Sequence, residues 1–190
     1  MKKTPVAILA ASILLAACGG SAKPDASSTS SSPTTSSTPT VSVSSTTAPT
    51  IDPNIPAAAR AHTPAGAEAF VKYFFERLNV AWTAPRAGIL SPLCQASAIA
   101  CTAFEKTATR LTNAGHHYDG NPLTIGFIGP LGVPSTEQLG VLAIVVQEPR
   151  REIDAAGKTF VTDKRKDLRF DFELLYIGQG WSVSSINLMK

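Results

Sequence analysis

The sequence predicts one α+β domain, with helices in its N-terminal half and an antiparallel meander of about four strands behind them. Apolar residues recur at helical spacing between residues 64 and 113, and at strand spacing between residues 123 and 189. Helices that precede the strands, instead of alternating with them, are typical of the α+β class. We expect this domain to occupy residues 63–190, behind a signal peptide at 1–17 and a linker at 18–62.

The first 17 residues have the pattern of an export signal. Lys2 and Lys3 form a basic n-region, and an apolar h-region runs from Val6 to Leu15, shorter than the roughly 20 residues of a transmembrane helix. Leu15-Ala16-Ala17-Cys18 resembles a bacterial lipobox, whose cysteine is diacylated and becomes the new N-terminus. We therefore expect a lipid anchor at Cys18 that holds the protein on the outer face of the cytoplasmic membrane. A secreted protein with a chance cysteine and an uncleaved anchor are the alternatives.

Ser, Thr and Pro dominate the segment from Cys18 to His62, and no bulky apolar residue occurs there before Val41. Such a composition cannot bury enough surface to offset the entropy of ordering, so we predict a disordered linker. A flexible coil of about 44 residues reaches roughly 35–40 Å, which would lift the domain off the membrane.

The charge balance bears on the partners. Of 17 Lys and Arg residues, Lys2 and Lys3 leave with the signal peptide, so 15 remain against 14 acidic residues. Nucleic-acid binding normally needs a strongly basic face. We therefore expect no nucleic-acid partner.

The first long helix is predicted to begin at Thr63-Pro64, an N-cap candidate followed by proline at the first helical position, and to end at Thr83-Ala84-Pro85. Its apolar face is formed by Ala67, Phe70, Val71, Phe74, Leu78 and Ala81. The helix also carries Tyr73, Phe75 and Trp82, and aromatic residues in such a stripe more often belong to a core than to a ligand platform.

A second helix is predicted from Ser97 to Asn113, with Gly115 as its C-terminal cap. Its buried stripe comprises Cys101, Phe104, Ala108 and Leu111.

With Cys18 committed to lipid, Cys94 and Cys101 remain, and outside the cytoplasm an even pair favours a disulfide. Two residues seven apart in one helix are about 10 Å apart, beyond the ~7 Å limit for a bridge. The bridge therefore requires Cys94 to lie in a turn before the helix. Free structural thiols, or a metal site with His116 and His117, stay open as alternatives, although the metal site lacks convincing ligand spacing.

The strands follow. Leu123–Ile128 is short and apolar, and Gln138–Gln147 is apolar almost throughout, which indicates a central strand buried on both faces. Pro149–Lys158 has the composition of a hairpin tip, and basic residues around it alternate with acids, which favours a mixed, solvated hairpin over a positive patch. In Lys166–Ile177 apolar and charged residues alternate, and Trp181–Met189 is the closing strand after the tight connection Gly178-Gln179-Gly180.

This order resembles the nuclear-transport-factor-2-like cone, in which a curved antiparallel sheet wraps around N-terminal helices. The stretch Thr63–Phe75 with Leu78-Asn79, together with the lipobox and linker, resembles a family of actinobacterial lipoproteins with an uncharacterised domain, over residues 52–190. The pair Cys94 and Cys101 fits that family too. The resemblance implies no activity and no functional residues.

Cone folds include isomerases and cyclases, whose chemistry needs an acid or base inside an apolar cavity. Asp167, Asp171 and Glu173 lie on the polar face of their strand, and His116-His117 is predicted to be a solvated loop. We therefore expect a lipoprotein whose domain binds a partner protein or a small apolar ligand without catalysis, cofactor or metal. A cone-fold enzyme acting on a hydrophobic substrate, isomerase-like or cyclase-like, and a cell-envelope assembly factor that docks through its sheet are the alternatives. The predicted pocket residues are Tyr73, Trp82, Phe172 and Tyr176.

Overall fold

The structure, a computed structural model, describes residues 54–132, 135 and 137–190. Cys18, the predicted signal peptide and most of the predicted linker lie outside these residues. The helices are α1 (Ala57–Arg60), α2 (Pro64–Thr83) and α3 (Ile99–Ala114), with a 3₁₀ helix at Ser91–Leu93. The strands are β1 (His116–Tyr118), β2 (Leu123–Leu131), β3 (Gln138–Gln147), β4 (Arg151–Asp154), β5 (Thr159–Thr162), β6 (Lys166–Ile177) and β7 (Gly180–Met189).

The α+β class with antiparallel pairing is confirmed, and the strands form two sheets. The larger sheet has the order β2-β3-β6-β7, and the smaller has the order β1-β4-β5. The predicted meander of about four strands corresponds to the larger sheet. The difference from prediction is that the β4–β5 hairpin leaves the meander between β3 and β6 and pairs with β1, residues 116–118, where a loop was expected.

Helix α2 is the central element of the core, as its periodicity predicts. Thr63 Oγ1 accepts a hydrogen bond from the Gly66 amide at 3.0 Å and so caps the helix. Phe70, Phe74 and Leu78 are fully buried against the larger sheet.

The chain is packed against the domain from Ile55 onward, eight residues before the predicted domain start at Thr63. Ile55 and Ala59 are 3% and 1% exposed. The Trp181 indole donates to the Ala61 carbonyl at 2.8 Å, and the His62 ring stacks on Tyr176 at 3.9 Å. Residues 55–62 therefore contact the domain within the stretch that the sequence predicts as the end of the linker.

Gly66 shows how close this approach is. A Cβ at position 66 would lie 2.0 Å from the Ala61 carbonyl oxygen, so only glycine lets α2 start where the incoming chain crosses it.

Strand β3 is central, as predicted, but only one of its faces is fully buried. Leu139, Val141, Ala143 and Val145 are at most 2% exposed, whereas the intervening Leu142, Ile144 and Val146 are half-buried. In β6 the predicted alternation is confirmed, with Phe170, Phe172 and Leu174 buried on the same side as the inward residues of β3.

No helix within residues 54–132 and 137–190 is both long enough and apolar enough to cross a membrane.

Candidate functional site

A cluster of three ionisable side chains joins α3 to the smaller sheet. Glu152 on β4 has a side chain that is only 4% exposed, and its two oxygens accept hydrogen bonds from the two terminal nitrogens of Arg110, each at 2.8 Å. Its Oε1 also accepts from His116 Nδ1 at 2.8 Å. Because an ionised carboxylate only accepts, the proton of this contact is on Nδ1 of the imidazole.

The local fold explains why these residues converge. Helix α3 ends at Ala114, and Gly115 adopts the left-handed conformation, φ 68°, that closes the helix. Strand β1 begins with the next residue, so His116 and Arg110 reach the same side of β4. Antiparallel pairing of β1 with β4 places Tyr118 opposite Glu152.

The electrostatics keep Glu152 charged. The hydrogen bonds from Arg110 lower the pKa of Glu152, burial opposes this effect, and His116 adds to the lowering. The same contact raises the pKa of Arg110. Next to the cluster, burial and a hydrogen bond with Asp163 raise the pKa of Tyr118, which therefore stays neutral.

His116 is held on two sides. Its ring stacks on Phe160 of β5 at 3.9 Å with an interplanar angle of 25°, and its Nδ1 is bound to Glu152. Phe160 is itself 45% exposed, with Lys158 Nζ 5.1 Å from its ring centroid. Within the described part of the chain, Nε2 of His116 has no hydrogen-bond partner.

An open concavity of about 620 Å³ lies beside this cluster. It is lined by the C-terminal ends of α2 and α3 and by both histidines, with Val80, Ala84, Pro85 and Leu111 as its apolar residues. We call it the groove. Its volume is in the range of small-molecule sites, roughly 300–1,000 Å³.

The sequence prediction for His116-His117 needs correction. The two residues were expected in a solvated loop, but they form β1, and the His116 side chain is only 16% exposed. The physical reason is Glu152, which the sequence placed in a mixed, solvated hairpin. Alternation within Arg151–Asp154 would bury Ile153, and the residue buried instead is Glu152, since Arg110 neutralises it.

The disulfide prediction is confirmed. Cys94 and Cys101 are bridged, with their Cα atoms 6.4 Å apart. Cys94 lies after the 3₁₀ helix and Cys101 in the first turn of α3, as the spacing required. The bridge excludes the free-thiol and metal-ligand alternatives for this pair. The chain at Cys94-Gln95 also touches β7, where the Gln95 amide donates to the Val183 carbonyl at 2.8 Å.

The four predicted pocket residues lie in different surroundings. Tyr73 and Phe172 are 8% and 0% exposed in the core. The Trp82 indole donates to the Phe104 carbonyl at 3.4 Å, and Tyr176 packs between His62 and Trp181. None of the four lines the groove.

The comparisons with known proteins bear on the fold alone. No family model and no curated protein matches the chain. Among solved structures, the intermembrane space region of the chloroplast protein ARC6 is similar, with a TM-score of 0.52 and 15% identity over 68% of this chain and 98% of that one.

Two further similar structures have TM-scores too low to support an argument. A domain of unknown function with a cystatin-like fold from Nostoc punctiforme has a TM-score of 0.43 and 14% identity, over 67% of this chain and 78% of that one. A putative aromatic ring hydroxylase from Novosphingobium aromaticivorans has a TM-score of 0.42 and 12% identity, over 66% of this chain and 90% of that one. The likeness to the ARC6 region thus supports the α+β architecture and assigns no activity.

Proposed function

We propose that the protein is a lipid-anchored extracytoplasmic lipoprotein whose domain binds a partner protein or a small apolar ligand and performs no catalysis. We further propose that α2 and the larger sheet form a nuclear-transport-factor-2-like cone. The helix-first order and the closing Trp-containing strand β7 support the cone, as they do in the sequence.

The observation that carries the non-catalytic function is the filled interior between α2 and the larger sheet. Phe74, Phe75 and Phe172 meet there edge to face, with ring centroids 5.4–5.9 Å apart. Among the described residues, the buried polar side chains are Asn79 and Glu152, and Glu152 belongs to the smaller sheet. A buried carboxylate or imidazole inside the cone, which an isomerase or cyclase needs as its base, is therefore lacking among these residues.

Export is supported by two features of different kinds. The lipobox ending in Cys18 is the sequence feature. The Cys94–Cys101 disulfide is the structural one, because such bridges persist in oxidising compartments and are rare in the cytosol.

The anchor is tested with the full chain expressed in an actinobacterial host. We expect the protein in the membrane fraction, with an intact mass that starts at Cys18 and includes acyl chains, and we expect Cys18→Ala to abolish membrane retention. A mature species that starts at Cys18 without acyl mass would refute the anchor.

The groove favours a small apolar ligand as one form of binding. Val80 lines it and is 38% exposed, unusual for a valine on a helix that is otherwise core-forming. Nile red, an apolar dye, is the probe. We expect a blue-shifted emission that Val80→Arg removes and that the matched control Ile99→Arg, at the exposed start of α3, leaves unchanged. Equal emission from the two variants would exclude the groove.

The His116–Glu152 contact favours a second candidate function, proton transfer at the groove. A carboxylate that fixes Nδ1–H leaves the Nε2 lone pair free to act as a base. Nitrogen NMR of the neutral imidazole tests this: we expect its proton on Nδ1, and a neutral ring that carries its proton on Nε2 would exclude the base.

A further inference from the structure

The larger sheet has an outer face that α2 does not cover. Pairing across all four strands aligns Phe127, Ile144, Arg169 and Met189 in one row. The next row contains Gly129, Leu142, Asp171 and Asn187. We define the outer face as Phe127, Leu142, Ile144, Val146, Arg169, Asp171, Glu173 and Met189.

The outer face exposes several apolar side chains. Phe127 is 51% exposed and Met189 is 45% exposed, at opposite edges of the sheet. The Phe127 ring lies next to Gly129, where an added Cβ would be 2.6 Å from its Cζ. Between these edges Leu142 and Ile144 are half-buried. Exposed apolar side chains grouped beside charged ones are typical of interaction sites.

The charges on the face are unpaired. Asp171 and Glu173 are two residues apart on β6, point to the same side and form no salt bridge within the described part of the chain. Arg169 likewise forms none, whereas Asp167 lies 4.0 Å from Arg165. Partial burial and the neighbouring Glu173 raise the pKa of Asp171. A neutral partner covering the face would bury both carboxylates without a counter-charge, which is costly.

We propose that the outer face docks a segment of another protein that presents apolar side chains flanked by Lys or Arg. This rests on the proposed binding function and names the chemistry of the partner. Cations placed over Asp171 and Glu173 relieve their mutual repulsion, while apolar side chains cover Phe127 and Ile144.

Two other occupants fit the charges less well. Two copies of this chain face to face would bring four unpaired carboxylates against two Arg169 guanidinium groups, so negative charge would remain in excess. The segment 18–53 of the same chain contains a single cation, Lys23, against Asp25 and Asp52. Neither supplies the positive charge that the face lacks.

The test uses the full chain in the envelope of a living host, with a photo-crosslinking amino acid at position 144. The control position is Ile99, which is 84% exposed on α3 and is not part of the outer face. Crosslinked peptides are sequenced by mass spectrometry. We expect position 144, and not 99, to capture one protein through a segment with more Lys and Arg than Asp and Glu.

Charge reversal provides the matched comparison. Asp171→Lys with Glu173→Lys is expected to lower the crosslink yield about tenfold, and added salt to lower it in the wild type. Glu68→Lys with Glu76→Lys, the same charge change on α2, is expected to leave it unchanged. If the Asp171→Lys, Glu173→Lys variant fails to fold, Asp171→Asn with Glu173→Gln replaces it, and we expect a smaller fall in crosslink yield.

Several results would overturn the proposal: capture of a second copy of this chain alone, of lipid alone, of an acidic or uncharged segment, or of nothing. These results are distinguishable from failure of the anchor, since Cys18→Ala is scored by membrane retention in a separate measurement.

Discussion

Glu152 and Arg110 are 42 residues apart in the chain and meet through two parallel hydrogen bonds of 2.8 Å. The Glu152 side chain is 4% exposed and the Arg110 side chain 52% exposed, so the pair is buried on one side and solvated on the other. This contact joins α3 to β4, and through His116 it also fixes β1. The orientation of the smaller sheet on α3 therefore depends on it.

Removal of Arg110 should be costly because it leaves a buried carboxylate with His116 as its remaining partner. We expect Arg110→Ala to lower the free energy of unfolding by about 2–3 kcal/mol, below the figure for fully buried pairs because Arg110 is half exposed. Urea denaturation measures this. The double variant Arg110→Met, Glu152→Met should cost less than Arg110→Ala alone, and a larger loss would contradict the assignment.

The pH dependence follows from the lowered pKa of Glu152. A carboxyl group whose pKa is lower in the folded state contributes stability above its unfolded pKa, near 4.5, and loses it as pH falls through the folded pKa. We expect wild type to be more stable than Glu152→Gln at pH 7, and this difference to shrink below about pH 4.5. A difference that is constant from pH 7 to pH 3 would show that the Glu152 charge does not matter. Asp119, whose pKa Arg151 lowers, is unchanged in both proteins and cancels.

Asp171 should behave in the opposite way. Its pKa is raised in the folded state, so its ionised form opposes folding at neutral pH. We expect Asp171→Asn to raise stability at pH 7 by less than about 1 kcal/mol, since the group is partly solvated, and to have no effect well below pH 3.8. A destabilised variant at pH 7 would contradict this. Together with lost crosslinking at position 144, the expected gain would show that the acid is kept for binding and not for folding.

The disulfide closes a short loop, and it also ties the 3₁₀ segment to the edge of β7. Replacement of Cys94 and Cys101 by Ala should lower the free energy of unfolding by about 2 kcal/mol, the value for a loop of this length. Hydrogen exchange is expected to rise first at the Gln95 amide, which donates to Val183. Wild type treated with reductant is the control and should match the double variant. Uniformly faster exchange across both sheets would contradict a local effect.

Local patterns predicted the elements that bury a continuous face. The period of α2, the alternation in β6 and the cap at Gly115 each depend on residues within a few positions of one another, and all three are present. The Cys94–Cys101 bridge was expected because two cysteines remain after Cys18, and helix geometry required Cys94 to precede α3, although the sequence left free thiols and a metal site open.

Long-range contacts explain what the sequence did not predict. The segment 54–62 is held by Trp181, 120 residues away from Ala61, and nothing in its Ala-rich composition indicates this. Glu152 is buried because of Arg110, and a charged residue in a charged hairpin carries no local sign of burial. The outer face was not predicted, because the continuous apolar residues of β3 indicated that both faces of this strand are covered. In the structure only one face of β3 is fully buried.

Asn79 provides a test of how α2 is joined to β2. Its side-chain nitrogen donates to the Leu123 carbonyl at 2.8 Å, and its oxygen accepts from the Leu123 amide at 3.1 Å, with the residue 9% exposed. Asn79→Asp keeps the shape but places an acceptor against the carbonyl, so we expect a loss of about 2–4 kcal/mol at pH 7. Protonation restores a donor, so stability relative to wild type should recover in part as the pH is lowered towards 4. Asn79→Leu, which cannot be rescued by a proton, is the matched control and should show a loss that does not depend on pH. Equal pH profiles for the two variants would mean that the paired hydrogen bonds do not hold β2 on α2.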